Sequence, residues 1–184
     1  MVVWVTGPFG VGKSTAAGLV VATRPSWRLF DPEEVGFMLR TTLPDVPIDD
    51  FQDLRPWRTL VPICIEEVAR FTGSGIIAVQ TVLREDYWRE LYAGLEATNQ
   101  KTRLVVLTAD ERVLRDRIRK DTSLPPEVRA WREKHVDAFF TAADPHTGWL
   151  TTMADLVIDT SRQTPEETAA AVVPVLAREG VDRS

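Results

Sequence analysis

The stretch Gly7-Pro8-Phe9-Gly10-Val11-Gly12-Lys13-Ser14 constrains this chain more than any other feature. It fits the spacing G-x-x-x-x-G-K-[ST], and each residue type in it has a separate task. Glycines let the backbone curl around an anion with its N–H groups pointing inward. A helix starting here adds the positive end of its dipole. Lys13 reaches the β- and γ-phosphates of a nucleotide, and the Ser14 hydroxyl ligates Mg²⁺. The motif works only between a strand and a helix, which separates it from a chance match. Val2-Val3-Trp4-Val5 supplies the strand, a short β-branched run suited to burial on both faces. These residues, from Gly7 to Ser14 and with Thr15 after them, are the candidate nucleotide contacts.

The rest of the chain alternates in the same way. Helices are predicted over 13–23, 35–43, 56–71, 85–97, 110–120 and 127–141, and strands over 27–30, 76–79, 104–107 and 156–158. Asp31-Pro32-Glu33-Glu34 reads as a helix start, with Asp as N-cap, Pro at N1 and acids in the first turn. Thr164-Pro165-Glu166-Glu167 is a second such start. The helix it opens carries Ala169, Val172, Val173 and Leu176 to dock on the sheet. Residues 44–55 read as irregular or a short helix, and Pro62 as a possible kink. Strands alternating with helices imply an α/β fold: a three-layer, five-stranded parallel sheet covered on both faces, in a single domain over 1–184.

Composition narrows the function. Lys and Arg number 22 against 27 Asp and Glu, so the net charge is −5, without the basic field of a nucleic-acid binder. One Cys and two His make a disulfide framework or a closed zinc site improbable and suit a reducing, cytoplasmic compartment. No apolar run is long enough to cross a bilayer.

The phosphate loop alone does not separate motors, switches and kinases. Motors and GTPases need an acid closing a strand to hold Mg²⁺, yet the third strand ends Val79-Gln80-Thr81. Asn99-Gln100-Lys101-Thr102 fails as a guanine-reading motif, which favours adenine nucleotide, ATP. The acid instead follows the second strand, as Asp31. Ligands gather at the carboxyl ends of parallel strands, so Asp31 should share a cleft with the loop. It is the candidate to deprotonate an acceptor hydroxyl, or to hold Mg²⁺ through water; a helix cap alone is the plainer reading. Segment 31–60 is expected to cover the acceptor. Phe37, Arg40, Phe51, Gln52, Trp57 and Arg58 there, with Thr81, form the candidate substrate set: aromatic faces plus amide and guanidinium donors suit a flat polar base or a sugar. Arg40 or Arg58 suits a carboxylate or phosphate. Phe37 and Leu39 also fit core positions, and Asp49 and Asp50 fit turn caps. Phe9 either lines the acceptor pocket or packs beneath the loop. The basic residues Arg115, Arg117, Arg119, Lys120, Arg129, Arg132 and Lys134 flank a Pro-containing loop, and 121–135 is expected to act as a lid. His135 and His146 read as surface residues.

In this order, phosphate loop, Asp31 and basic lid resemble the nucleoside-monophosphate-kinase-like group. Within it, Arg117-Ile118 resembles the arginine that stacks on adenine, and Arg119 the one that touches phosphates. A narrower set, Trp4, Phe9-Gly10-x-Gly12-Lys13, Asp31-Pro32-Glu33, Gly36-Phe37-x-Leu39-Arg40, Asp50-Phe51-Gln52, Trp57-Arg58, Thr81 and Trp131-x-x-Lys134-x-x-Asp137, resembles the tunicamycin resistance protein family. That resemblance implies an ATP-binding protein that confers resistance to a uridine-containing nucleoside antibiotic and suggests that the drug is phosphorylated; Lys13 and Asp31, read from the loop and the strand end, and Arg119, read from the broader group, are the candidate catalytic residues. Three functions fit: a kinase of the drug, an ATP-dependent protein that sequesters it without chemistry, and a kinase of another metabolite or nucleotide.

Overall fold

A computed structural model describes residues 1–122 and 125–177. The strands are β1 (Val2–Thr6), β2 (Trp27–Phe30), β3 (Gly75–Val79), β4 (Thr102–Thr108) and β5 (Leu156–Asp159). All pair in parallel, in the order β2-β3-β1-β4-β5. β1 lies in the middle, and its alternation separates two cores. Val2 and Trp4 pack on one face with Ile76, Ala78, Leu104 and Val106; Val3 and Val5 pack on the other with Ile77, Val79, Val105 and Leu107. Such double burial is what a continuous β-branched run encodes.

The helices are α1 (Lys13–Thr23), α2 (Glu33–Thr42), α3 (Arg55–Thr72), α4 (Glu85–Ala97), α5 (Glu111–Lys120), α6 (Pro126–Ala142), α7 (Trp149–Met153) and α8 (Pro165–Val172). Leu39, Val61, Ile65, Trp88, Leu91 and Leu150 place α2, α3, α4 and α7 over the first face. Ala17, Val20, Leu114, Ile118, Ala169 and Val172 place α1, α5 and α8 over the second. α6 serves both, with Val136 in the second core and Phe139 in the first, so it crosses the edge of the sheet.

Several sequence readings are refined. α2 begins at Glu33, with Pro32 already in helical angles as its N-cap, while the Asp31 carboxylate still accepts the Glu33 N–H. Thr164 and Glu167 complete the capping box expected at α8. α3 runs through Pro62 without interruption; a Cβ on Gly94 would lie 2.8 Å from Pro62 Cγ, so this proline seats α4 closely. Within 44–55, apart from Arg55, which already opens α3, only Phe51–Asp53 is helical, as one 3₁₀ turn capped by Asp50. α7 is too short to show a periodicity and was not foreseen. Of the loop expected over 121–126, Ser123 and Leu124 lie outside the described residues. No described helix is long and apolar enough to cross a membrane.

Candidate functional site

The chain leaves β1 at the carboxyl edge of the sheet. Here β1 connects toward β2 and β4 toward β5, on opposite sides, and the divergence opens a crevice. Gly7, Gly10 and Gly12 have φ of 149°, 78° and 98°, angles that side-chain-bearing residues rarely adopt. A Cβ on Gly7 would also lie 2.3 Å from the Leu107 carbonyl oxygen. Two hydroxyls tie the loop to the sheet: Thr81 Oγ1 donates to the Gly7 carbonyl at 2.8 Å, and Thr160 Oγ1 to that of Val11 at 3.2 Å. Ser14 and Thr15 are exposed in the first turn of α1.

Lys13 Nζ donates to the carbonyls of Gly7 and Pro8 at 2.8 and 2.9 Å. The ammonium thus rests on the loop's own backbone. Burial first, and the nearby Arg132 cation second, push its pKa down to about 7. A group held in this way gains strongly from an arriving anion.

Two cavities flank the loop. The smaller, about 330 Å³, lies between Gly10, Gly12, Thr15, Arg117, Thr160 and Pro165. Arg117 is fixed at its edge by Nη1 on Thr160 Oγ1 at 3.2 Å and Nη2 on the Thr160 carbonyl at 3.0 Å. The larger, about 550 Å³, runs from Phe9 and Glu33 to Tyr87 and is roofed by Trp131, Arg132 and His135 of α6. Phe9 faces this cavity and carries the roof: Trp131 lies 5.2 Å from its ring, and the guanidinium of Arg132 5.1 Å.

Three tryptophans fix the cavity wall from behind. Trp4 Nε1 donates to the Gln80 carbonyl, Trp57 Nε1 to that of Pro32, and Trp149 Nε1 to that of Leu83, at 3.2, 2.9 and 3.1 Å. Large rings fill the core while one N–H apiece positions a segment of the rim.

Of the residues expected on the acceptor side, Phe37, Arg40, Phe51, Gln52 and Thr81 line the larger cavity. Phe37 is exposed there rather than in the core, whereas Leu39 is buried. Gln52 Nε2 donates to the Thr81 carbonyl at 3.0 Å, linking segment 31–60 to the end of β3.

Trp57, Arg58, Asp31 and Arg119 are placed otherwise. Trp57 is fully buried, 5.5 Å behind the Phe51 ring, because its N–H is spent on Pro32. Arg58 is spent on Glu90 and the Gln52 carbonyl, so it braces the wall instead of lining it. Asp31 stands at the end of β2, exposed and outside the cavity, with Oδ1 on the Glu33 N–H at 2.9 Å. Arg119 lines neither cavity; it pairs with Glu133 at 2.6 Å.

Two residues outside the expected set face the loop and the cavity. Glu33 lines the cavity, and burial first, then the Asp31 carboxylate, raises its pKa against the pull of Arg132 and Lys13. Arg132 supplies the cation facing the loop. Both were in view in the sequence, but Glu33 was absorbed into a helix start and Arg132 into a charge run.

A family model described as an AAA domain matches residues 2–124. The chain belongs to that family. No curated protein matches it by sequence. Among solved structures, the tunicamycin resistance protein of Deinococcus radiodurans is 23% identical, with a TM-score of 0.74 over 96% of this chain and 95% of that one. A sugar kinase from Janibacter sp. HTCC2649 is 20% identical (TM-score 0.64, 95% and 93% covered). A gluconokinase from Sinorhizobium meliloti 1021 is 15% identical (TM-score 0.61, 95% and 92% covered). The protein therefore has a P-loop kinase-like fold, and the resemblance read from its sequence is borne out at the level of that fold.

Proposed function

We propose that this protein is an ATP-dependent phosphotransferase that modifies a hydroxyl of a tunicamycin-like nucleoside antibiotic. The observation that carries this reading is the Glu33 carboxylate, lining a cavity of drug-accommodating size beside the Lys13 ammonium. Adenine occupies the smaller cavity against Arg117, and the triphosphate lies along 7–14 with Lys13 released from its two carbonyls. Ser14 is exposed where the motif requires a Mg²⁺ ligand, and Asp31, after β2 on the far side of β3, would hold the ion through water. Bound there, Mg²⁺ would neutralise charge on the β- and γ-phosphates.

The acceptor enters from the side of Phe37 and Phe51. Its hydroxyl proton passes to Glu33 as the oxygen bonds the γ-phosphorus, and the bond between that phosphorus and the oxygen bridging to the β-phosphate breaks. ADP leaves, and Glu33 returns the proton to water. A carboxyl whose pKa is raised by burial is better matched to this exchange than a fully solvated one. Arg132 and Lys13 face the transferring group, and α6 excludes water above it. The described part of the expected lid, in α6, covers the site, and 31–60 forms the acceptor wall. Tunicamycin-dependent release of ADP over many turnovers is the expected assay result. Tight, ATP-dependent binding of one drug per protein without ADP release would replace this reading with sequestration.

A further inference from the structure

Kinases of acidic acceptors need a free cation where the acceptor's anion docks. The cations around this cavity are almost all committed. Arg84 donates to both Asp86 oxygens, at 3.1 and 2.5 Å, and to the Tyr87 hydroxyl at 2.9 Å. Arg58, on Glu90 and the Gln52 carbonyl, is also stacked on the Tyr87 ring, 4.1 Å from its centre. Arg132 sits over Phe9, toward the phosphate loop. His135 Nδ1 is engaged by the Trp131 carbonyl at 2.8 Å. Among the described residues Arg40 alone remains, exposed at the rim on the side of Asp50.

The acceptor atoms are arranged the opposite way. Glu33, Asp49, Asp50 and Asp53 all line the cavity. Asp50 is half-buried; its Oδ1 receives the Gln52 backbone N–H at 2.9 Å, and its Oδ2 only a longer contact from Gln52 Nε2, at 3.3 Å. Because Gln52 Nε2 is spent on the Thr81 carbonyl, its amide oxygen is the end left for a ligand. An acidic ligand would bring its charge against four carboxylates with Arg40 at the rim as the one uncommitted guanidinium to offset it, since Arg132 is turned toward the loop. A ligand bearing hydroxyl or amide N–H groups meets acceptors suited to it.

We propose that the larger cavity selects neutral molecules rich in hydrogen-bond donors over carboxylate- or phosphate-bearing ones, and that Asp50 is the residue that sets this selection. The inference rests on the reading of the cavity as the acceptor site, but not on whether transfer follows.

Matched pairs test it by binding alone: uridine against uridine monophosphate, and glucose against gluconate, each as a competitor of tunicamycin in calorimetric titration. The neutral member of each pair should bind at least about tenfold more tightly, which is roughly 1.4 kcal/mol. Asp50→Asn, with its thermal melt as the control for folding, should shrink that ratio several-fold by relieving the anion. Glu33→Ala, which removes a second cavity carboxylate, should shrink it too. Equal or tighter binding by the acidic members, no competition by the neutral ones, or a ratio unmoved in folded Asp50→Asn would overturn the proposal. Selection for the neutral members without ADP release would leave it standing and remove the phosphotransferase reading instead.

Discussion

Asp31 Oδ1 accepts the backbone N–H of Glu33 at 2.9 Å, and this bond holds one of two neighbouring carboxylates at the start of the helix. Asp31 starts the helix from outside the cavity, and Glu33 enters it. Glu33→Gln should therefore lower kcat for drug-dependent ADP formation by about 10²–10⁴-fold with little change in melting temperature. Asp31→Asn keeps the cap and should cost far less. Asp31→Ala should lose about 1 kcal/mol of stability with the cap. Steady-state kinetics and thermal melts on the three variants separate these outcomes. An inactive Asp31→Asn beside an active Glu33→Gln would reverse the assignment.

Lys13 gives a prediction in protons. With its pKa lowered to about 7 in the free protein, the side chain is mostly neutral at about pH 8. Triphosphate charge beside it favours the protonated form and raises that pKa. ATP binding at this pH should take up a proton fraction approaching about one per site, and binding should weaken as the pH rises further. Calorimetric titration in two buffers of different ionisation enthalpy measures the uptake. Lys13→Met should abolish it, while equal heats in both buffers for the parent protein would contradict the arrangement.

Gly36 controls the floor of the larger cavity. A Cβ there would sit 2.5 Å from Phe51 Cγ, against an aromatic ring that is itself held by Trp57. Gly36→Ala should displace Phe51, cost about 1–3 kcal/mol, and raise KM for the acceptor while leaving ATP affinity near its original value. Denaturant melts and separate titrations of the two substrates check this. A variant with unchanged acceptor KM would show that Phe51 does not shape the acceptor's binding surface.

The sheet was legible because its information is local. Val2-Val3-Trp4-Val5 and Ile76-Ile77-Ala78-Val79 encode double burial without reference to anything distant. Gly7, Gly10 and Gly12 were legible for the same reason, since their positive φ angles belong to the loop itself. The acceptor wall was legible only as a segment. Trp57 and Arg58 stand beside Gln52 in the chain, but their N–H groups turn toward Pro32, Glu90 and the Gln52 carbonyl, and those partners are fixed by tertiary packing. Arg119 and Arg132 were indistinguishable as charges. The crossing of α6 over Phe9 brings Arg132 toward the loop, while Arg119 pairs with Glu133. Glu33 was hidden by a local role equally satisfied by Asp31.

In the proposed reaction the loop and Glu33 together move a phosphoryl group onto the drug. Mass spectrometry of tunicamycin after incubation with the protein, ATP and Mg²⁺ tests it directly. A drug heavier by one phosphoryl group is expected, formed by the parent protein and nearly absent with Glu33→Gln. Recovery of unmodified drug from a protein that binds it tightly in the presence of ATP would contradict it.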